Sequence, residues 1–230
     1  LYYAVIIGWC INYFFFSLNL SWGADPQSFF FNTFLQISES PFELGGIRIP
    51  ILSATFFVWF LCWMICYREI NHGIEKACSI FMPILLILTL ILVGWTMTLN
   101  GATDAITQFY LKPDWEKINL IKHFNNPEVW DVWIAAYGQI FFTLSLGFGI
   151  MITYASYLPE KTDIVGNALW MSVINCVYSF VAGFAVFGIV GFMAATKGVA
   201  FSEVIKGGPQ LAFVVYPEAI RQLPFGQEIF

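Results

Sequence analysis

The chain has 230 residues, of which 59% are hydrophobic, 19% aromatic and only 11% charged. Soluble domains carry about a quarter of their residues as charges, so this stock cannot cover a water-facing surface, which argues against a soluble enzyme. Ten Lys and Arg against fifteen Asp and Glu give a net charge of −5 with no basic stripe, and that excludes nucleic-acid binding.

The charges are clustered and leave five windows with none: Leu1 to Ala24, Ile49 to Tyr67, Ala77 to Thr103, Val132 to Pro159 and Ile164 to Thr196. A helix needs roughly 20 apolar residues to cross a hydrocarbon core. The chain therefore reads as an all-α polytopic membrane protein. Spans are expected at about 1–22, 49–67, 77–98, 132–157 and 165–195 in a single membrane domain, 1–230, with the start of a further span at 225–230. Leu1 opens directly into an apolar run with no signal-peptide pattern, so the chain is expected to begin part-way through a helix.

Loops between the windows differ greatly in length. The first, from Asp25 to Arg48, also carries Glu39 and Glu43, and the second runs from Arg68 to Lys76. The third, Asp104 to Asp131, holds the Pro-bearing stretch Tyr110-Leu-Lys-Pro-Asp-Trp115, while the fourth is only Glu160 to Asp163. The long loops hold more Lys and Arg in total. Density favours the short ones, with Arg68, Lys76 and Lys161, and the positive-inside rule weighs short loops most. The second and fourth loops are accordingly expected in the cytoplasm and the long loops outside. Cys10, Cys62, Cys66, Cys78 and Cys176 all fall in apolar windows and are expected as buried free thiols; the turn-spaced Cys62 and Cys66 have no His or acid beside them for a metal site.

Pro83 in the third window fits either a packing kink or a hinge. In the fifth, Ser179 and Gly183 are small residues spaced one turn apart, with Gly188 and Gly191 further along, and small residues let a neighbouring helix approach. The fourth window differs from a plain span. Gly147 and Gly149 flank Phe148, with hydroxyls at Thr143 and Ser145, and this invites the helix to unwind. Unpaired backbone at membrane depth costs several kcal/mol per group, roughly, unless it lines a cavity or meets a ligand. A broken helix offers carbonyls to a cation and amides to an anion; a glycine-kinked packing helix is the alternative. Asn175 and Ser179, one turn apart, offer oxygens suited to an alkali cation, or simply an interhelical hydrogen bond.

The stretch Ala135-Ala-Tyr-Gly-Gln-Ile-Phe-Phe-Thr-Leu-Ser-Leu-Gly-Phe-Gly149, continuing to Tyr154-Ala-Ser-Tyr157, resembles the sixth transmembrane helix of the neurotransmitter:sodium symporter family. Tyr2-Tyr3 followed by Trp9 resembles the middle of that family's third helix. Asn175-Cys-Val-Tyr-Ser-Phe-Val-Ala-Gly-Phe184 resembles the seventh, and Gly208-Pro-Gln-Leu-Ala-Phe with Tyr216-Pro217 the extracellular hairpin before the eighth. The resemblance implies part of an inverted-repeat, leucine-transporter-like fold with a broken sixth helix, running from the middle of the third helix to the start of the eighth. Helices one and two, the upstream half of the third and most of the eighth onward would then lie outside this sequence. The second sodium site, shared by helices one and eight, cannot be carried over.

Position by position, the resemblance makes Tyr3 the tyrosine whose hydroxyl holds the substrate carboxylate. Phe142 and Phe148 become pocket walls, Ser145 an unwound residue beside the substrate, and Thr143 a residue of both pocket and ion site. Thr143 and Asn175 match ligands of the first sodium ion. Ser179 stands where chloride-dependent members carry Ser and some bacterial members an acid. Sodium entering a low-dielectric pocket favours a nearby negative charge, and no Asp or Glu lies between Val132 and Pro159 or between Ile164 and Thr196. A chloride ion among Gln139, Thr143, Asn175 and Ser179 is therefore expected.

The implied function is sodium-coupled, chloride-dependent symport of a small hydrophobic amino acid by alternating access, in a multi-pass plasma-membrane protein with Na+ and Cl− as coupled ions and no organic cofactor. The alternative is a non-transporting amino-acid sensor on the same fold. A membrane-embedded enzyme has no support, since His72 and His123 lie outside the windows and no intramembrane acid pair exists.

Overall fold

The computed structural model describes residues 2–38, 40, 42–43, 45–68, 73–119, 127–204 and 208–221. The expected further span at 225–230 and both histidines, His72 and His123, lie outside the described residues. Within them every regular element is helical. The chain divides into two compact units, Leu1–Leu88 with Ile189–Phe230, and Thr89–Gly188.

In the first unit an uncharged apolar run forms α1 (Tyr2–Ser17). It packs along α3 (Ile49–Tyr67), and Asn12 ties the two by donating to the Gly8 carbonyl at 2.9 Å and the Pro50 carbonyl at 3.1 Å. Between them the sequence reading placed only a loop. The structure puts a helix there: α2 begins as Pro26–Ser28 and continues as the π-helical Phe29–Leu35. Asp25 caps it, accepting from the Ser28 amide at 3.0 Å, with Pro26 at the first helical position, where no donor is needed. Phe30 and Phe34 provide the reason for this helix, because both are buried in an aromatic cluster with Tyr13, Trp22 and Phe213. The Tyr13 and Phe213 rings meet edge-on at 4.9 Å, while Phe30 and Phe213 stack at 5.4 Å.

Arg48 closes the far end of α2. Its guanidinium donates to the carbonyls of Phe34 (3.1 Å) and Thr33, placing a cation where the last helix carbonyls point. Arg48→Ala is expected to lower stability by about 1–2 kcal/mol, the range for losing charge-assisted hydrogen bonds at a part-exposed site. Thermal unfolding of detergent-solubilised protein checks this, and an unchanged midpoint would show that the bond to Arg48 does not hold the α2 terminus.

Of α4 (Glu75–Thr96), the first half belongs to this unit; the helix is continuous through Pro83, which breaks nothing. After α9 (Ile164–Lys197) come α10 (Phe201–Val204) and α11, which starts as the π-helical Leu211–Val215 and ends as Tyr216–Arg221. Lys197 closes on Glu218 at 2.8 Å.

The second unit holds the end of α4, then α5 (Ala102–Ala105, continuing as the π-helical Ile106–Tyr110), which runs into the long third loop, and α6 (Trp115–Ile118) within that loop. α7 (Pro127–Thr143), α8 (Ile150–Ser156) and most of α9 (Ile164–Lys197) follow. Two of the glycines of α9 have identified neighbours. Thr96, fully buried, sets its methyl against Gly188, and Tyr110 lies over Gly183. The Tyr178 hydroxyl meets that of Thr89 on α4 at 2.8 Å.

α3, α4 and α9 are each long and apolar enough to cross a membrane. α1 has 16 residues and the fourth window is divided between α7 and α8, so neither gives one long helix. The five cysteines are unpaired, but all are exposed, which corrects the expectation of burial. These helices bury little surface against the described chain, and large apolar side chains such as Phe57, Phe81 and Leu88 are exposed.

Candidate functional site

The break in the fourth window is built by its backbone. At the end of α7 the Leu146 amide reaches back to the Phe141 carbonyl (2.9 Å) and the Ser145 amide to the Phe142 carbonyl (3.1 Å). This crossed pair is a Schellman motif, and Ser145 takes the left-handed position that glycine usually fills, with φ of 54°. Gly147 and Gly149 are also left-handed, at φ of 79° and 75°. A Cβ on either glycine would meet nothing within 4 Å, so conformation and not space requires glycine there. Gly149 then opens α8, its carbonyl accepting from both the amide and the hydroxyl of Thr153 at 3.0 Å. Among the described residues the carbonyls of Thr143 and Leu144 enter no backbone hydrogen bond.

A left-handed conformation costs an L-residue about 1–2 kcal/mol. Gly149→Ala is therefore expected to lose about that much stability and Ser145→Gly to gain up to about 1 kcal/mol. Thermal melts of the two variants check it, and melts that move in the same direction would contradict the assigned backbone.

Next to the break, Thr143 and Asn175 face each other across α7 and α9. The Thr143 hydroxyl lies 3.4 Å from Asn175 Oδ1, and Asn175 Nδ2 donates to the same hydroxyl at 3.3 Å. Both residues are half-buried. Hard cations such as Ca2+ take oxygen ligands at about 2.3–2.6 Å. Two oxygens 3.4 Å apart would subtend about 90° at such an ion. This pair can thus form one edge of a cation's coordination shell with little rearrangement. Gln139 lies one turn before Thr143 on α7, and Ser179 one turn beyond Asn175 on α9, each on the face of its bridging partner. Of the Ser and Thr residues in α9, Ser172 and Thr196 turn back to helix carbonyls at 2.8 Å. The Ser179 hydroxyl makes no hydrogen bond among the described residues.

Phe142 and Phe148 bracket the break and meet edge-on, ring centroids 6.4 Å apart. Both are more than half exposed, so they line an open surface in this chain. Tyr3 stands in the first unit, on α1, exposed and edge-on to Tyr2 at 5.8 Å. The second unit thus brings Thr143 to Asn175 and Phe142 to Phe148. Among the described residues no cluster of three His, Cys, Asp or Glu could hold a metal.

One residue of the second unit was missed from sequence. Tyr110 donates its hydroxyl to the Phe180 carbonyl, one residue after Ser179, at 2.7 Å. Its neighbour was visible as the bare Gly183; nothing in the third loop marked the tyrosine itself.

These elements define a class, a helical membrane protein with one span broken beside a facing pair of oxygen donors. The chain belongs to the Sodium:neurotransmitter symporter family, whose model matches residues 21–229. It is 43% identical over 229 residues to an uncharacterized sodium-dependent transporter of Methanocaldococcus jannaschii, covering 100% of this chain and 44% of that protein. To the sodium- and chloride-dependent GABA transporter 2 of Rattus norvegicus it is 30% identical over 262 residues, covering 97% of this chain and 40% of the transporter. To the sodium- and chloride-dependent creatine transporter 1 of Oryctolagus cuniculus it is 35% identical over 187 residues, covering 78% and 28%. The chain spans less than half the length of these relatives. Its fold is that of a polytopic membrane protein in a family of sodium-dependent transporters.

Proposed function

We propose that this chain forms the ion-binding middle of a plasma-membrane symporter that couples inward sodium, with chloride, to uptake of a small hydrophobic amino acid. The Thr143–Asn175 contact beside the helix break carries this reading. It presents two hard oxygens to a sodium ion at a point where backbone carbonyls are also free of helix bonding. Ser179, with a hydroxyl unspent on its own helix, and Gln139 would complete a halide seat beside the sodium. The absence of any Asp or Glu from both apolar windows leaves a mobile anion to balance it.

For the substrate, Phe142 and Phe148 would form the apolar walls and Ser145 a polar contact. Tyr3 would donate to the carboxylate. The sodium- and chloride-dependent names of the rat and rabbit relatives support the ion pairing, and the GABA and creatine in those names support a small zwitterionic cargo. Transport then proceeds by alternating access with no covalent step. Uptake of labelled amino acids into proteoliposomes under an inward sodium gradient tests this reading. Accumulation above the external concentration that collapses when the gradient is abolished is the expected result. Sodium-promoted binding without accumulation would instead assign a sensor.

A further inference from the structure

We propose that Tyr110 is a positioning residue for the ion-binding face of α9, a role that rests on the ion-site reading above. Four observations in the second unit converge on it. The Tyr110 hydroxyl donates to the Phe180 carbonyl at 2.7 Å, one residue beyond Ser179 on the same helix. Its ring is held on three sides, stacked on Phe180 at 5.4 Å and Phe187 at 4.7 Å and edge-on to Phe184 at 5.3 Å. Gly183 lacks the atom that would exclude it, since a Cβ there would lie 2.2 Å from the phenol oxygen and 2.3 Å from its ring carbon. Gly183 in turn lies one turn from Ser179, as Ser179 does from Asn175, so phenol, hydroxyl and amide follow one another along a single helix face.

The physical effect follows from the acceptor. A helix carbonyl has two lone pairs, so Phe180 can serve its own helix and accept Tyr110 as well. A second donor pulls that carbonyl outward and tilts its peptide, which sets the local bend of the helix. That peptide joins Phe180 to Val181, one residue beyond Ser179. A binding constellation must be held within about 0.5 Å of its productive geometry, so the bond fixes where Ser179, and Asn175 one turn below, present their oxygens. Tyr110 touches no ion itself. It holds α9 in register from the end of α5.

The test measures half-saturating sodium and chloride for uptake, in proteoliposomes of the transporter carrying this chain, normalised to reconstituted protein. Tyr110→Phe keeps the ring and removes only the bond. It is expected to raise the half-saturating chloride two- to tenfold, the range for one hydrogen bond, and to raise that for sodium in the same direction. Gly183→Ala evicts the phenol while leaving every polar group intact, and is expected to shift the constants likewise. The double variant should exceed neither single one by more than about twofold, since both remove the same seat. If Tyr110→Phe leaves both ion constants unchanged and lowers only thermal stability or reconstitution yield, Tyr110 merely anchors a loop and the proposal falls. Wild-type uptake indifferent to chloride would instead overturn the halide assignment at Ser179. In that event the sodium constant alone decides Tyr110: a shift upholds it and no shift ends it.

Discussion

Uptake by the Ser179→Glu variant is expected to persist when external chloride is replaced by an inert anion, whereas wild-type uptake falls at least tenfold. The magnitude follows from charge balance. Two unit charges about 4 Å apart attract by about 4 kcal/mol at an effective dielectric of 20, so a sodium site stripped of its counter-charge loses affinity by orders of magnitude. Between Val132 and Pro159, and between Ile164 and Thr196, no carboxylate can take over. A Glu at position 179 would bring a fixed negative charge to the face carrying Asn175. Because this charge must be ionised to act, the variant's uptake should decline as pH falls through the range of a carboxyl raised by burial. A wild type served by a halide is expected to show no such acid limb. Ser179→Ala is the control and should lose chloride activation without gaining independence. A wild type unaffected by chloride removal, or a Glu variant that still needs chloride, would refute the counter-ion role.

The long apolar helices were the parts of this fold most legible in the sequence. Charge-free windows found α3, α4 and α9, because length and apolarity alone qualify a helix to span a membrane. Gly147 and Gly149 announced the break, since glycines adopt the left-handed turn cheaply. Ser145 could not be read the same way. It takes a left-handed cap that its residue type does not favour, and the crossed hydrogen bonds to Phe141 and Phe142 hold it there. α2 and α5 escaped because each is stabilised by distant aromatic partners, Phe30 by Phe213 and Tyr110 by Phe187. Such pairings leave no periodic trace in a short segment. The cysteines misled for a related reason. Apolar sequence signals removal from water, and in a membrane helix that leads outward to lipid as readily as inward to protein.

Asn175→Ala is expected to raise the half-saturating sodium for uptake by ten- to a hundredfold, since a hydrogen bond or ligand contact to a charged group contributes about 1.5–3 kcal/mol. The site geometry makes Asn175 the more costly of the two bridging residues to lose. Its amide places an oxygen beside the Thr143 hydroxyl and a donor that orients that hydroxyl. Removing Thr143 leaves Asn175 its carbonyl oxygen, so Thr143→Ala should cost less and Thr143→Ser should restore sodium activation. Fold stability is expected to stay within about 1 kcal/mol in Asn175→Ala, because a hydroxyl freed from its partner can turn back to its own helix. Thr96 and Thr196 already do so at 2.7 and 2.8 Å. A sodium titration paired with a thermal melt therefore separates ligation from folding. If Asn175→Ala shifts the melt and leaves sodium activation within twofold, the Thr143–Asn175 pair is only a clasp between α7 and α9. A large sodium shift on an unchanged melt makes the same two oxygens an edge of the cation's shell, and places the coupling ion at the break in the helix.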